Sequence, residues 1–365
     1  MPDTISAEAM AESTAETLGA LLRKPDVRDA VVHHGSSDQV WTTVVAAGWG
    51  EVLLAEPHGG LGLDVDVLGA VLTVAGRFLV PGPVLPHTVV LPLIANAAED
   101  TARKIVTDPS NVRARIAFAD VAAANHADDR APVLDEGSLR GTVRLVRDGG
   151  DADRFVVVAQ RGSELALVLV PATAPGVTVD RQEGLDVAAR YATLHFDDVS
   201  ELSVLVPAAT GLVNRIRDTW RLMLACRLAG ASRHLLDAAV AYAKERRQFG
   251  KPIGSFQAVQ HLLADMAADV LALEALCADT VEAVTARPER LPLEAAVAKA
   301  AAARTARSVG EGALQVHGGI AFTREHDVHR WFLSALSMQG EYGDEADLAA
   351  SVGRLLLGGG EAPWS

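Results

Sequence analysis

The stretch RRQFGKPIGSFQAVQ, from Arg246 to Gln260, is where this 365-residue sequence most openly invites chemistry. A long apolar pattern of helical period runs up to it, stops at Phe, Gly, Lys, Pro and Gly, and then resumes. Two arginines stand on one side of the break and a Phe-Gln pair on the other. Such a break is either a plain turn between antiparallel helices or a corner that holds a ligand. Other candidates carry less. His326 and His329 in EHDVH lie three apart on one helical face, which suits a metal, but no third ligand is evident and no metal is expected. HGGLGLD is not a dinucleotide fingerprint, since no strand precedes it and no βαβ unit follows. HHGSSD, near residue 33, reads as a loop. Cys226 and Cys277 lie in helix-like stretches, without the spacing of a metal site or disulfide framework.

The elements that must position these residues fall into three parts. Over 1–108 the pattern is helical, with loops at EPHGGLGLD and VPGPVLP. Over 109–207 the period changes. RARIAFADV, SLRGTVRLV, DRFVVVAQ, ELALVLVPA, GVTVD and YATLHFDDV are short, rich in Val, Leu and Thr, and bounded by Gly, Asp and Pro, as strands of a small antiparallel sheet or barrel are. Over 208–365, long Ala- and Leu-dense stretches with three- and four-residue spacing predict four or five helices in a bundle. A site between sheet and bundle would sit where ligand pockets are favoured.

Composition excludes some classes of function. The formal net charge of -14 argues against nucleic acid, which is bound through clustered cations. No apolar run reaches the roughly 18 residues of a membrane span. The N-terminus MPDTISAEAMAESTAETLGALLRK lacks the basic start and apolar core of a signal peptide. The expectation is a cytoplasmic globular protein with no membrane partner.

Three stretches together resemble the acyl-CoA dehydrogenase family. GWGEVLLAEPHGGLGLD is similar to its N-terminal loop, YAKERRQFGKPIGSFQAVQHLLADM to its Arg-x-Gln-Phe-Gly helix corner, and ALQVHGGIAFTREHDVHRWF to its Gln-x-x-Gly-Gly segment. The likeness runs in order from about Trp41 to about Gly353. It implies an α+β fold with an N-terminal helical domain, a middle antiparallel β-domain and a C-terminal four-helix bundle, binding FAD and an acyl-CoA substrate. In the family a carboxylate removes the α-proton of the thioester and the β-hydride passes to flavin, leaving a trans-2-enoyl thioester. The site must stabilise enolate-like charge, and hydride acceptance is the flavin's chemistry. The resemblance places Arg246 on the FAD pyrophosphate, Phe249 and Gln257 near the adenosine, and Gln315, Gly318 and Gly319 at the same end, all facing FAD bound mainly by a neighbouring subunit. Arg suits a diphosphate through its planar fork, and glycines let backbone approach a ligand.

Two departures stand out. The family's Thr-Glu-Pro-Gly-x-Gly-Ser-Asp and Trp-Ile-Thr segments, which hold a subunit's own flavin, are replaced by FADVAAANHADD and RGTVRLVRDGGDAD. Phe118 and Asp120 sit near the right place without the side chains for that work. In many members the catalytic Glu lies in a Tyr-Glu-Gly segment; here the ungapped position is Tyr342, and Glu341 is one residue early. One residue on a helix rotates a side chain by about 100°. Glu341 is therefore either a base in a shifted loop or a solvated acid in GEYGDEAD. The alternative base position of some relatives falls at Trp220, beside Arg221, which matches an Arg near the base in the family. Glu341 and Arg221 are the catalytic candidates.

The resemblance thus implies an FAD-dependent acyl-CoA dehydrogenase subunit. It would be either a homo-oligomer using Glu341 or the reduced partner in a heterotetramer with a second acyl-CoA dehydrogenase subunit, of the kind used on steroid side chains. The missing flavin segments and retained corner favour the heteromer. An electron-transfer flavoprotein would be the acceptor. The alternative is a non-catalytic acyl-binding or structural subunit on the same fold.

Overall fold

The computed structural model describes residues 6–124, 129–323 and 325–357. Seven α-helices come first among the described residues: α1 (Ala7–Leu22), α2 (Pro25–His34), α3 (Asp38–Ala46), α4 (Val65–Arg77), α5 (Leu91–Ala97), α6 (Asp100–Val106) and α7 (Pro109–Arg113). Local chemistry sets their ends. The Ser6 hydroxyl accepts from Ala9 N–H at 3.1 Å and that of Ser37 from Val40 N–H at 3.3 Å, each satisfying an otherwise orphaned donor. HHGSSD is a helix end as much as a loop: His33 and His34 close α2, and Gly35 caps it in the left-handed region.

Eight strands follow: β1 (Ile116–Ala119), β2 (Val133–Asp135), β3 (Ser138–Val146), β4 (Arg154–Arg161), β5 (Glu164–Pro171), β6 (Val177–Arg181), β7 (Ala192–Val199) and β8 (Ser203–Val206). They form one sheet in the order β6-β7-β3-β2-β4-β5-β8, with β1 also on β4. The sheet is antiparallel at most of its pairings, as expected, but β1 and β2 both pair with β4 in parallel. Its faces alternate as the two-residue period requires. Val156 and Val158 join the large core shared with the helices, while Phe155 and Val157 belong to a second core on the opposite face.

Five α-helices follow among the described residues: α8 (Thr210–Glu245), α9 (Gln257–Ala286), α10 (Leu291–His317), α11 (Val328–Gln339) and α12 (Glu345–Leu356). α8 has 36 residues, and Val213, Ile216, Leu222, Leu228 and Leu235 are all buried along it. The N-terminal helices are locked to it by glycines. A Cβ on Gly76 would stand 1.9 Å from the Arg227 carbonyl oxygen, and one on Gly230 1.8 Å from that of Thr73. No other residue fits where α4 crosses α8. Among the described residues, no helix is long and apolar enough to cross a membrane.

Candidate functional site

Glu341 follows the C-terminal cap of α11 and is buried against the sheet, not solvated. Its carboxylate is paired with the Arg147 guanidinium, which the end of β3 delivers from the middle of the chain. The Tyr191 hydroxyl donates to the same oxygen at 3.3 Å, and the Trp220 indole N–H donates to the other at 3.3 Å. Arg147 is equally engaged. Its Nη2 donates to the Tyr191 hydroxyl at 3.0 Å and to the Ser337 hydroxyl at 2.8 Å, and Ser337 in turn donates to Asp186 at 2.5 Å. Burial alone would lower the Arg147 pKa; the charge of Glu341, with Tyr191 and Asp186, outweighs it and holds the pKa above its ordinary value. One helix turn away, Arg217 makes a two-pronged pair with Asp120 at 2.8 and 2.9 Å. Tyr342, fully buried with a positive φ of 54°, packs edge-on against Trp220. The cavity left among these side chains is about 280 Å³.

Arg221 lies on the far side of Tyr342. Its Nε donates to the Tyr342 carbonyl at 2.9 Å and its Nη1 pairs with Asp218. Lys299, fully buried in α10, donates to the Gln339 carbonyl at 2.8 Å, and burial lowers its pKa to about 8. Together they fix the loop that carries Glu341 and Tyr342. Asp148, next to Arg147, is buried with Oδ1 unpartnered among the described residues. Burial raises its pKa from 3.8 to about 7. Between those values the folded chain holds a proton that the unfolded chain has released, so this group's contribution to stability falls as pH rises through that range. Asp148→Asn is expected to melt higher than wild type at pH 8, with the difference vanishing toward pH 4. Calorimetry across that range checks it.

The break at the end of α8 has a local cause. Arg247–Gln248 and Lys251–Pro252 form a two-stranded hairpin. Its two-residue turn, Phe249–Gly250, has positive φ at both positions, 51° and 81°, as primed hairpin turns require. Asn or Gly usually stands where Phe249 is, and an aromatic residue there is strained. Phe249 is nonetheless 92% exposed, edge-on to Phe256. Strain kept on an exposed ring points to a role outside the chain. Beside the hairpin opens a cleft of about 530 Å³ lined by Tyr242, Arg246, Gln248, His317 and Gly319. Gly318 ends α10 at φ 65°, and among the described residues beyond their chain neighbours nothing lies within 4 Å of where a Cβ on Gly318 or Gly319 would stand. The side chains of Arg246, Gln257 and Gln315 are exposed and make no hydrogen bond or ion pair among the described residues.

Residues 215–356, which span most of α8 through α12, match the family model described as acyl-CoA dehydrogenase, C-terminal domain. The acyl-CoA dehydrogenase IpdE2 of Mycobacterium tuberculosis is 31% identical over 330 residues, covering 88% of this chain and 89% of that protein. The chain belongs to the acyl-CoA dehydrogenase family. Relatives of that name are FAD-dependent oxidoreductases acting on CH–CH bonds. The acyl-CoA dehydrogenase FadE34 of the same organism is 34% identical over 315 residues, 85% of this chain, but the chain spans only 41% of that protein's length. Among solved structures, a variant of the Tcur3481-Tcur3483 steroid ACAD superposes with a TM-score of 0.84 at 26% identity, over 97% of this chain and 98% of the other.

Two places could meet the family's FAD, and the residues fit only one. Between sheet and bundle, Arg147, Glu341, Asp120 and Arg217 saturate one another, and Tyr342 and Trp220 fill the space. The remaining cavity, about 280 Å³, is at the small end of ordinary ligand pockets. At the corner, an unpaired guanidinium, two unpaired amides and open glycine backbone suit a diphosphate and its flanking riboses. Arg246 and Gly319 line one cleft there. Gly318 and Gln315 stand at the end of α10, Gln257 at the start of α9, and Phe249 at the hairpin tip. The clamp itself escaped sequence reasoning. Its signal was an arginine, Arg147, inside VRLVRDGG, the segment where the family's Trp-Ile-Thr is missing.

Proposed function

We propose that this chain is the cofactor-completing subunit of a heteromeric, cytoplasmic acyl-CoA dehydrogenase. It docks on a second acyl-CoA dehydrogenase subunit and presents its corner to the FAD held mainly there. The observation that carries this reading is the Arg147–Glu341 clamp. A carboxylate that already accepts from an arginine, a phenol and an indole has three of its roughly four acceptor sites taken and its charge committed to Arg147, which makes it a poor base. The base therefore belongs to the partner, and Glu341 holds sheet to bundle.

FAD, when bound, accepts the hydride from the β-carbon of the acyl thioester. This chain's residues bind and orient it. Arg246 pairs with diphosphate oxygens, Gly318 and Gly319 let backbone amides come close, and Phe249 packs on the adenosine with Gln257 and Gln315 as polar neighbours. The substrate is a steroid-derived acyl-CoA, a class supported by the likeness to the steroid ACAD, and an electron-transfer flavoprotein takes up the electrons.

The test is flavin content. Purified alone, the chain is expected to be colourless and to leave acyl-CoA unoxidised. Co-expressed with a complementary acyl-CoA dehydrogenase chain, it should co-purify as a yellow complex with one FAD per pair of chains. A stoichiometric flavin on the single chain, bleached by an acyl-CoA, would overturn the proposal.

A further inference from the structure

We propose that Tyr242, held by its stack on His317, is a further cofactor-binding residue of the corner cleft and donates its phenol hydroxyl to a diphosphate oxygen beside Arg246. The inference rests on the reading that this cleft faces a partner's FAD. Tyr242 and Arg246 are four residues apart near the end of α8, so both project from one helical face. Both line the 530 Å³ cleft.

The phenol ring is fixed from behind. Tyr242 and His317 stack with centroids 4.5 Å apart and planes 27° apart. His317 is only 4% exposed, and its Nδ1 is anchored on the Ala313 carbonyl at 2.7 Å. His326 closes the cluster edge-on, 4.4 Å from the His317 ring and 6.1 Å from that of Tyr242. Within this restraint the Tyr242 hydroxyl has no hydrogen-bond partner among the described residues. A phenylalanine would serve the stack equally well. The hydroxyl adds a donor next to an unpaired guanidinium, and a donor to an anionic oxygen makes a charge-assisted bond. His317 is then a positioning residue, acting through the ring it holds.

The experiment uses the complex with an FAD-retaining acyl-CoA dehydrogenase chain and measures FAD affinity by flavin fluorescence after cofactor removal. Tyr242→Phe keeps the stack and loses the donor, and should weaken FAD binding about tenfold without changing the melting temperature of the isolated chain. His317→Ala should weaken it several-fold, and His317→Phe, which restores a stacking ring, should recover most of the loss. If Tyr242→Phe binds FAD like wild type while Arg246→Ala does not, the Tyr242 assignment falls and the corner reading stands. If neither substitution changes affinity, or if the complex holds no FAD, both fall.

Discussion

Arg147→Ala is expected to destabilise the isolated chain by about 3–5 kcal/mol, the loss typical of breaking one side of a buried ion pair. Arg147 and Glu341 side chains are 10% and 9% exposed, so little bulk water reaches the vacated contacts. The substitution leaves the Glu341 carboxylate with only two neutral donors and removes the cation facing Asp186 at 3.8 Å. It also cuts the tie between β3 and the end of α11, hence between sheet and bundle. The pair itself need not be a net stabiliser, because removing both charges from water is expensive. Arg147→Met combined with Glu341→Leu is therefore expected to recover most of what Arg147→Ala loses. Urea unfolding of the single and double variants, compared at constant m-value, separates the two statements. A loss below about 1 kcal/mol for Arg147→Ala would mean that the clamp is solvated and that Glu341 is free to act as a base.

The clamp explains why parts of this protein were legible in sequence and parts were not. The three-part order of helices, sheet and bundle is written in local periods. Six of the strands follow from Val- and Leu-rich runs bounded by Gly, Asp and Pro. β2 escapes because three residues are too few to show a period, and β8 because residues 200–202, between it and β7, hold no Gly or Pro to mark a turn. The mixed character of the sheet escapes because parallel pairing of β1 and β2 with β4 is a matter of topology, which no local period records. The corner at Arg246 is legible because Gly250, Pro252 and Gly254 interrupt the helical period within five residues. Glu341 and Arg147 are 194 residues apart, and nothing in GEYGDEAD distinguishes a clamped acid from a solvated one. Arg221 matched a position near the base by sequence, yet the side chain that pairs with Glu341 comes from the turn just after β3. Tyr342, at the ungapped base position, is buried with positive φ, so the loop that might have absorbed a one-residue shift turns the tyrosine inward and spends Glu341 on Arg147.

Arg246→Ala is expected to weaken FAD binding in the assembled complex by about ten- to a hundredfold, the equivalent of roughly 1.5–3 kcal/mol for a hydrogen bond to a charged group. The side chain is exposed and makes no hydrogen bond or ion pair among the described residues, so the chain's own unfolding should hardly move on its removal. That separates it from Arg147, whose loss should lower the stability of the isolated chain with no flavin present. Geometry and charge can be told apart. Arg246→Lys keeps the charge but not the fork, and should recover part of the affinity but not all of it. The difference between wild type and Arg246→Ala should also shrink as salt rises, since the cleft is open and ionic strength screens an exposed pair. Equal FAD affinity in wild type and Arg246→Ala at low salt would place the diphosphate elsewhere. The strained, exposed Phe249 and the open backbone at Gly318 and Gly319 would then need a different ligand.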